Sequence, residues 1–341
     1  MQRNFILTDV MKTGYHLELE DFVSMNTLED QEFEMTGEYY SLHNYDLDSY
    51  DRRFAIIDVR QANSRLKDNT EFHTELKKRC SLLHSQGFVF IKATPWESLD
   101  NIENFAQYPE IEIEHVKWTG GVSWFWYYMF KRHKDKTFNF DHSNKKYDFL
   151  YLNKMSRAHR IKLYNKLLDK DILNNSLYTN WPDRKLPPEY ELPWAQDYPF
   201  RGMDQDIFEK PYNDTAFSIV SETNDNDTDV FITEKIWKPI IAQHIFVVHG
   251  NYLYLQKLKE LGFKTFNSYF EEVYDLDRNP DLRIDTIVDV CDRLRDAPWQ
   301  DMYLHSKALR QHNVDNFFNK EKLGVAINDT LTLFLKFADS R

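Results

Sequence analysis

Residues 222–240 bring together the side chains best suited to chemistry. A glutamate (Glu222) follows an apolar run. A polar loop comes next, and Thr233, Glu234 and Lys235 then open an amphipathic segment behind two apolar residues. Threonine is a helix-capping residue type. The free amides and dipole of a first helical turn favour an anion. Lys235 adds a full positive charge suited to a diphosphate, and Glu234 can accept hydrogen bonds from ribose hydroxyls. The same residues also describe an ordinary helix start with solvated charges, so the pattern alone leaves both readings open. Pro239 falls inside the expected helix, where it removes a backbone hydrogen bond and bends the turn.

Other residues extend the set. Arg157 and Arg160 flank His159 at the start of a second helical pattern, and their forked guanidinium groups suit phosphate oxygens. Asp225-Asn226-Asp227 and the overlapping Asp227-Thr228-Asp229 form acidic pairs of the type that holds a divalent cation. Turn-forming Asp and Asn is the plainer reading. With Lys235 and Arg160 supplying charge, no metal is expected. Carboxylates at strand ends are suited to act as a general base. Glu97, just after the run FVFIKAT, is the candidate, with Asp9 and Asp58 as rivals at other strand ends. As a plain structural residue, Glu97 would be a first-turn helix carboxylate.

The elements that must position these groups read as strands alternating with helices. RNFILTD (3–9), FAIIDVR (54–60), FVFIKAT (88–94) and IEIEHVKW (111–118) form one strand series. YDFLYLN (147–153), SLYTN (176–180), TAFSIVSE (215–222), HIFVVHG (244–250) and FKTFN (263–267) form another. Helical patterns include 160–170, 253–262, 285–297, 299–311 and 325–338, and one between the second and third strands ends near Gly87. Apolar strands alternating with helices predict parallel sheets in an α/β fold of two Rossmann-like domains. The expected boundaries are 1–140, 141–320 and a C-terminal helix over 321–341 that packs back on the first domain. The segment 181–214 reads as one long Pro- and aromatic-rich loop.

Charge is unevenly spread. Residues 1–50 carry eleven acidic against two basic side chains, and residues 131–170 carry twelve basic against four acidic. The basic belt, interleaved with Trp124, Trp126, Tyr127 and Phe138, suits either nucleic-acid binding or a core with a solvated lysine rim. No apolar run reaches the roughly 18 residues of a membrane helix, and Met1–Gly14 lacks the pattern of a signal peptide. Cys80 and Cys291 match neither a zinc spacing nor a disulfide framework, so a cytoplasmic setting is expected.

Glu222, VFITEKIWKPI and IFVVHGNYLYLQKLKELGFKTFN, with FLYLNKMSRAHRIKLYNKL upstream, resemble the donor-binding region of α1,3-fucosyltransferases over about residues 147–310. The resemblance implies the GT-B architecture, with an active site between two Rossmann-like domains. It also implies inverting transfer from a nucleotide diphosphate sugar, GDP-fucose-like or a UDP-sugar, to an acceptor hydroxyl, with no cofactor. Lys235 and Arg160 would neutralise the diphosphate, Glu234 would meet the ribose, Glu222 would face the donor sugar, and Glu97 would be the base. Asn153, Arg157 and Thr233 complete the implied donor site. The chain departs from the family at Thr223-Asn224, where the family has Asn-Ser, and at Phe231, where it has Tyr. The acceptor is a glycan or, alternatively, hydroxymethylated DNA as in viral DNA-modifying transferases. A non-catalytic nucleotide-sugar or glycan-binding module is the alternative of another class.

Overall fold

The computed structural model describes residues 3–9, 31–36, 46, 48, 52–58, 70–93, 121–153, 157–180, 183–190, 206–225 and 230–326. The chain is an α/β protein that divides into two compact units, Met1–Trp124 with Gly324–Arg341, and Phe125–Leu323. Glu97, the expected strand 111–118, and the expected tail helix beyond residue 326 lie outside the described residues.

In the first unit, β1 (Arg3–Asp9), β2 (Gln31–Thr36), β3 (Arg52–Asp58) and β4 (Val89–Ala93) form an all-parallel sheet in the order β2-β1-β3-β4. The sequence QEFEMT of β2 escaped the hydrophobic reading because charged residues alternate along it. Helix α1 (Thr70–Ser85) joins β3 to β4. It stops where Gly87 takes φ +78°, which lets Phe88 N reach the Leu83 carbonyl at 3.0 Å.

The second unit opens with α2 (Gly121–His133), whose first residues precede the division between the units. The two strand series lead to an expected domain boundary at 140. The structure puts it at 125, because Trp126 packs among Trp237, Phe263 and Phe317 and donates from Nε1 to the Phe317 carbonyl at 2.9 Å. Trp126 and Tyr127 are thus core residues, with no face free to stack on a nucleic acid.

The sheet of this unit contains β5 (Tyr147–Asn153), β6 (Leu177–Asn180), β7 (Asp183–Lys185), β8 (Thr215–Ser221) and β9 (Ile245–His249) in the order β7-β6-β5-β8-β9. Only β7 is antiparallel. Every residue of β8 and β9 is buried, as parallel strands covered on both faces require. The segment 181–214 carries more structure than a loop. It holds β7, a 3₁₀ turn (Pro188–Tyr190) and helix α4 (Glu209–Asp214).

Four further helices follow β5 and β8: α3 (Ala158–Asp169), α5 (Glu234–Ile241), α6 (Tyr254–Glu260) and α7 (Pro280–Arg295). The expected helix 299–311 is two helices, α8 (Trp299–His305) and α9 (Lys307–Phe317). The expected strand FKTFN does not form. Asn313 Oδ1 accepts from Lys264 N at 2.7 Å and its Nδ2 donates to the Lys264 carbonyl at 2.8 Å. One side-chain amide thereby does the work of a neighbouring strand.

Helices α3 and α7 run side by side. Lys162, Lys166 and Lys170 meet Asp281, Asp285 and Asp289 at a four-residue repeat, the last pair at 3.6 Å. Arg132 and Lys136 share Asp206, and Lys146 pairs with Asp214. Much of the basic belt is therefore engaged within the protein.

Candidate functional site

The chain leaves β5 through α3 to β6 on one side, then returns to place β8 on the other side of β5. Ligands of open parallel sheets bind at such a reversal, beyond the carboxyl ends of the strands. A cavity of about 200 Å³ lies there. It is lined by Asn153 of β5, Arg157 and Arg160 of α3, Ser221 of β8, and Glu234, Lys235, Lys238 and Pro239 of α5.

Two helix starts converge on this cavity, α3 behind Arg157 and α5 behind Thr233. Thr233 holds the N-cap position but makes no side-chain cap. Its hydroxyl donates instead to Glu222 Oε2 at 2.5 Å, so the threonine side chain does not occupy the first-turn amides of α5. Lys235 Nζ donates to Glu234 Oε1 at 2.8 Å, to Thr233 Oγ1 at 2.9 Å and to Thr223 Oγ1 at 3.3 Å. Burial raises the Glu234 carboxyl, but Lys235 and Lys238 outweigh it and hold the group below its ordinary range. Pro239 lacks an N–H, which leaves the Lys235 carbonyl without its usual helical donor at the cavity side of α5.

Glu222 is fully buried and works as a tie. Its carboxylate accepts from Thr233 N at 3.3 Å, from the Thr233 hydroxyl, and from the Tyr254 hydroxyl at 2.7 Å. Its carbonyl accepts from Arg160 Nε at 3.1 Å, Arg160 Nη2 at 2.9 Å and His159 Nε2 at 3.1 Å. The residue expected to face a sugar therefore sits under the site and locks β8, α3, α5 and α6 together. Gly250 makes this possible, since a Cβ there would lie 2.6 Å from the Tyr254 ring. Arg160 is itself 3% exposed, and its guanidinium anchors the Glu222 carbonyl from the cavity wall. Arg157 reaches the Thr223 carbonyl at 3.1 Å and is the more open of the two.

Asp225, the first member of the acidic pair, faces two histidines. Its carboxylate oxygens lie 3.7 Å from His159 Nδ1 and 3.8 Å from His249 Nε2. Asp227 lies outside the described residues. Burial depresses both imidazoles below their ordinary range. Asp225 partly offsets this at His159, and the neighbouring His159 and Arg283 reinforce it at His249. Asp9 and Asp58 close β1 and β3 in the first unit.

The structure thus brings Asn153, Arg157, Arg160, Glu234 and Lys235 to one cavity, while Thr233 and Glu222 are buried and outside its lining. Sequence reasoning missed Lys238 and Pro239 as lining residues and Tyr254 as the partner of Glu222. Lys238 was accessible in principle, because it lies one helical turn after Glu234 and Lys235. Tyr254 carried no local signal.

No family model matches the sequence, and no curated protein matches it. Among solved structures the chain is similar to a DNA-modifying β-glucosyltransferase, determined with and without uridine diphosphoglucose, at 11% identity over 97% of this chain and 99% of that one, with a TM-score of 0.45. It is also similar to an α1,3-fucosyltransferase with GDP-fucose, at 11% identity over 98% of this chain and 91% of that one, with a TM-score of 0.37. Among the described residues, no helix is long and apolar enough to cross a membrane.

Proposed function

We propose that this chain is a glycosyltransferase of GT-B type that takes a sugar from a nucleotide diphosphate sugar. The observation that carries the reading is the convergence of two helix starts, with Arg157 and Lys235, on one cavity at the strand-order reversal. Such a cradle suits a diphosphate, which would lie against the α5 amides with its charge met by Lys235 and Arg157. Glu234, held ionised beside Lys235, would accept from the ribose hydroxyls.

In the proposed reaction an acceptor oxygen attacks the anomeric carbon while the bond from that carbon to the diphosphate oxygen breaks. A carboxylate takes the acceptor proton, and the electron pair leaves on the diphosphate, where the fixed positive charge stabilises it. Glu97, Asp9 and Asp58 are the candidates for the base, and inversion at the anomeric carbon follows from a single displacement. No divalent cation is assigned to the step.

The acceptor we favour is a glycan or another neutral hydroxyl compound. Duplex DNA draws on surface cations, and here its phosphates would have to displace the aspartates beside Lys162, Lys166, Lys170, Arg132, Lys136 and Lys146. The test is release of nucleoside diphosphate from UDP-glucose and GDP-fucose in the presence of a panel of acceptors, with and without a chelator. Release that is insensitive to chelator supports the reading. Nucleotide binding without any turnover would point to a non-catalytic module, and no binding of either nucleotide would sink the proposal.

A further inference from the structure

The carboxyl end of the second sheet carries another polar feature beside the cationic cradle. Asn180 on β6 is the register partner of Asn153 on β5, and Ser221 on β8 is the partner of His249 on β9. The β5–β8 pairing runs to Leu150 against Ser218, and beyond it Asn153 and Ser221 line the same cavity. Partners in a parallel sheet point to the same face. Asn180 and Asn153 therefore share one face, as do Ser221 and His249, and the two pairs of this polar row meet at the cavity through Asn153 and Ser221.

All four are at most 4% exposed. Even so, Asn153 Nδ2 and Oδ1 and Asn180 Oδ1 make no hydrogen bond of ordinary geometry, although the Tyr151 hydroxyl lies beside Asn153, and His249 Nε2 faces only the Asp225 carboxylate at 3.8 Å. Most buried polar side chains find partners, and a cluster that does not requires an explanation. Asn153 and Ser221 line the cavity next to Arg157 and Lys235. The open amide of Asn153 thus adjoins the anion cradle, with Asn180 beside it across the β5–β6 pair.

We propose that this row is a neutral subsite that reads the hydroxyls of the donor's sugar, a reading that rests on the nucleotide-sugar function proposed above. A sugar hydroxyl both donates and accepts, which matches a carboxamide open at both ends. Asn153, Asn180 and Ser221 are uncharged, and the charged neighbour at this end is the Asp225 carboxylate beside His249, so the row complements a polyol rather than a second phosphate. Glu222, the nearby carboxylate expected to do this work, is committed to Thr233 and Tyr254. Sugar recognition passes from that carboxylate to the amides.

The test compares the affinity for UDP-glucose with that for UDP, and for GDP-fucose with that for GDP, in the wild type and in Asn153→Ala and Asn180→Ala. The wild type is expected to bind one sugar nucleotide about tenfold or more tighter than its parent nucleotide, and Asn153→Ala to bring that ratio close to one, with a smaller loss for Asn180→Ala. Apo Asn153→Ala is expected to melt higher than the wild type, because it removes a buried group that lacks a hydrogen bond of ordinary geometry. A merely structural amide would instead lower the melting temperature. An unchanged ratio in both variants, as expected for a row that only holds water, overturns the proposal, as does a wild-type ratio of one. Failure of the wild type to bind either parent nucleotide is a different outcome, which overturns the function reading and this subsite with it.

Discussion

The two ends of the second sheet both bury histidines and cations, but they treat them differently. At the amino end, His244 Nε2 donates to the Thr215 carbonyl at 2.7 Å and its Nδ1 lies 2.7 Å from the Ser218 hydroxyl. Lys145 donates to His142 Nδ1 at 2.9 Å and to the Tyr212 carbonyl at 2.8 Å. Arg310 reaches the Ser306 hydroxyl and the carbonyls of Gln243 and Tyr303, and the Tyr303 hydroxyl donates to the Ala216 carbonyl. In that cluster only His142 Nε2 is left without a partner. At the carboxyl end, Asn153 and Asn180 keep open atoms, His249 Nε2 faces only Asp225 at 3.8 Å, and Thr233 leaves the α5 start without a side-chain cap. One cluster closes its hydrogen bonds and fixes the fold. The other holds them open beside a cavity. Polar burial alone therefore does not mark a site; here it is open amide capacity lying beside a cationic cavity that distinguishes the carboxyl end.

The largest expected effect breaks the carboxyl end alone. Lys235→Ala removes the ammonium of the cradle, and loss of a charge aimed at a leaving group lowers kcat by about 10²–10³-fold. The circular dichroism spectrum should stay that of the wild type. Turnover at the wild-type rate would remove Lys235 from the mechanism. Next comes the tie beneath the cradle. Glu222→Ala leaves Thr233 N, Thr233 Oγ1 and Tyr254 Oη without their shared acceptor. The expected cost is about 3 kcal/mol, seen as a melting temperature lower by roughly 6–12 °C. Melting unchanged within a degree would mean that Glu222 is free to serve a ligand, as the sequence pattern implied.

That contrast marks how far the sequence could be read. The α/β class and the strands of the second unit were legible because 147–153, 215–221 and 245–249 are apolar runs bounded by turns. Thr233, Glu234 and Lys235 were legible because a helix start concentrates its signal in adjacent residues. Glu222 was legible as a residue but not as a tie, since its partner Tyr254 lies 32 positions away and reaches it only because Gly250 admits the ring. The polar row was illegible for a similar reason. Asn180 and Asn153, like Ser221 and His249, are neighbours only through strand register. The strand expected at 263–267 failed because Asn313 supplied the hydrogen bonds locally.

A smaller effect isolates the amino end. Burial, reinforced by Arg310, pulls the Lys145 ammonium from its ordinary 10.5 down to about 7. Between those two values the unfolded chain holds a proton that the folded protein has released. The unfolded state thus binds more protons, and stability rises with pH across that window. Below about 7 both states are protonated and the contribution is flat. Denaturation midpoints of the wild type should climb from pH 7 to 9, and Lys145→Met should flatten that climb without changing the affinity for nucleotides. Parallel curves for the two proteins would show that the amino-end cluster does not hold a strained charge.

The smallest effect belongs to the flank that joins the two ends, the ladder between α3 and α7. Lys166 and Asp285 are each more than a third exposed, so water screens them, and holding two long side chains in one geometry offsets part of the attraction. Lys166→Ala is expected to cost less than about 1 kcal/mol. That is a shift of at most roughly 4 °C in the melting temperature, and it should shrink further in 1 M salt, where charges are screened within about 3 Å. Nucleotide affinity should stay at the wild-type value, because the ladder stands outside the cavity. A loss of nucleotide binding in Lys166→Ala would mean that the ladder sets the position of the α3 start, and with it the placement of Arg157. The anion cradle would then depend on surface pairs as well as on the buried tie at Glu222.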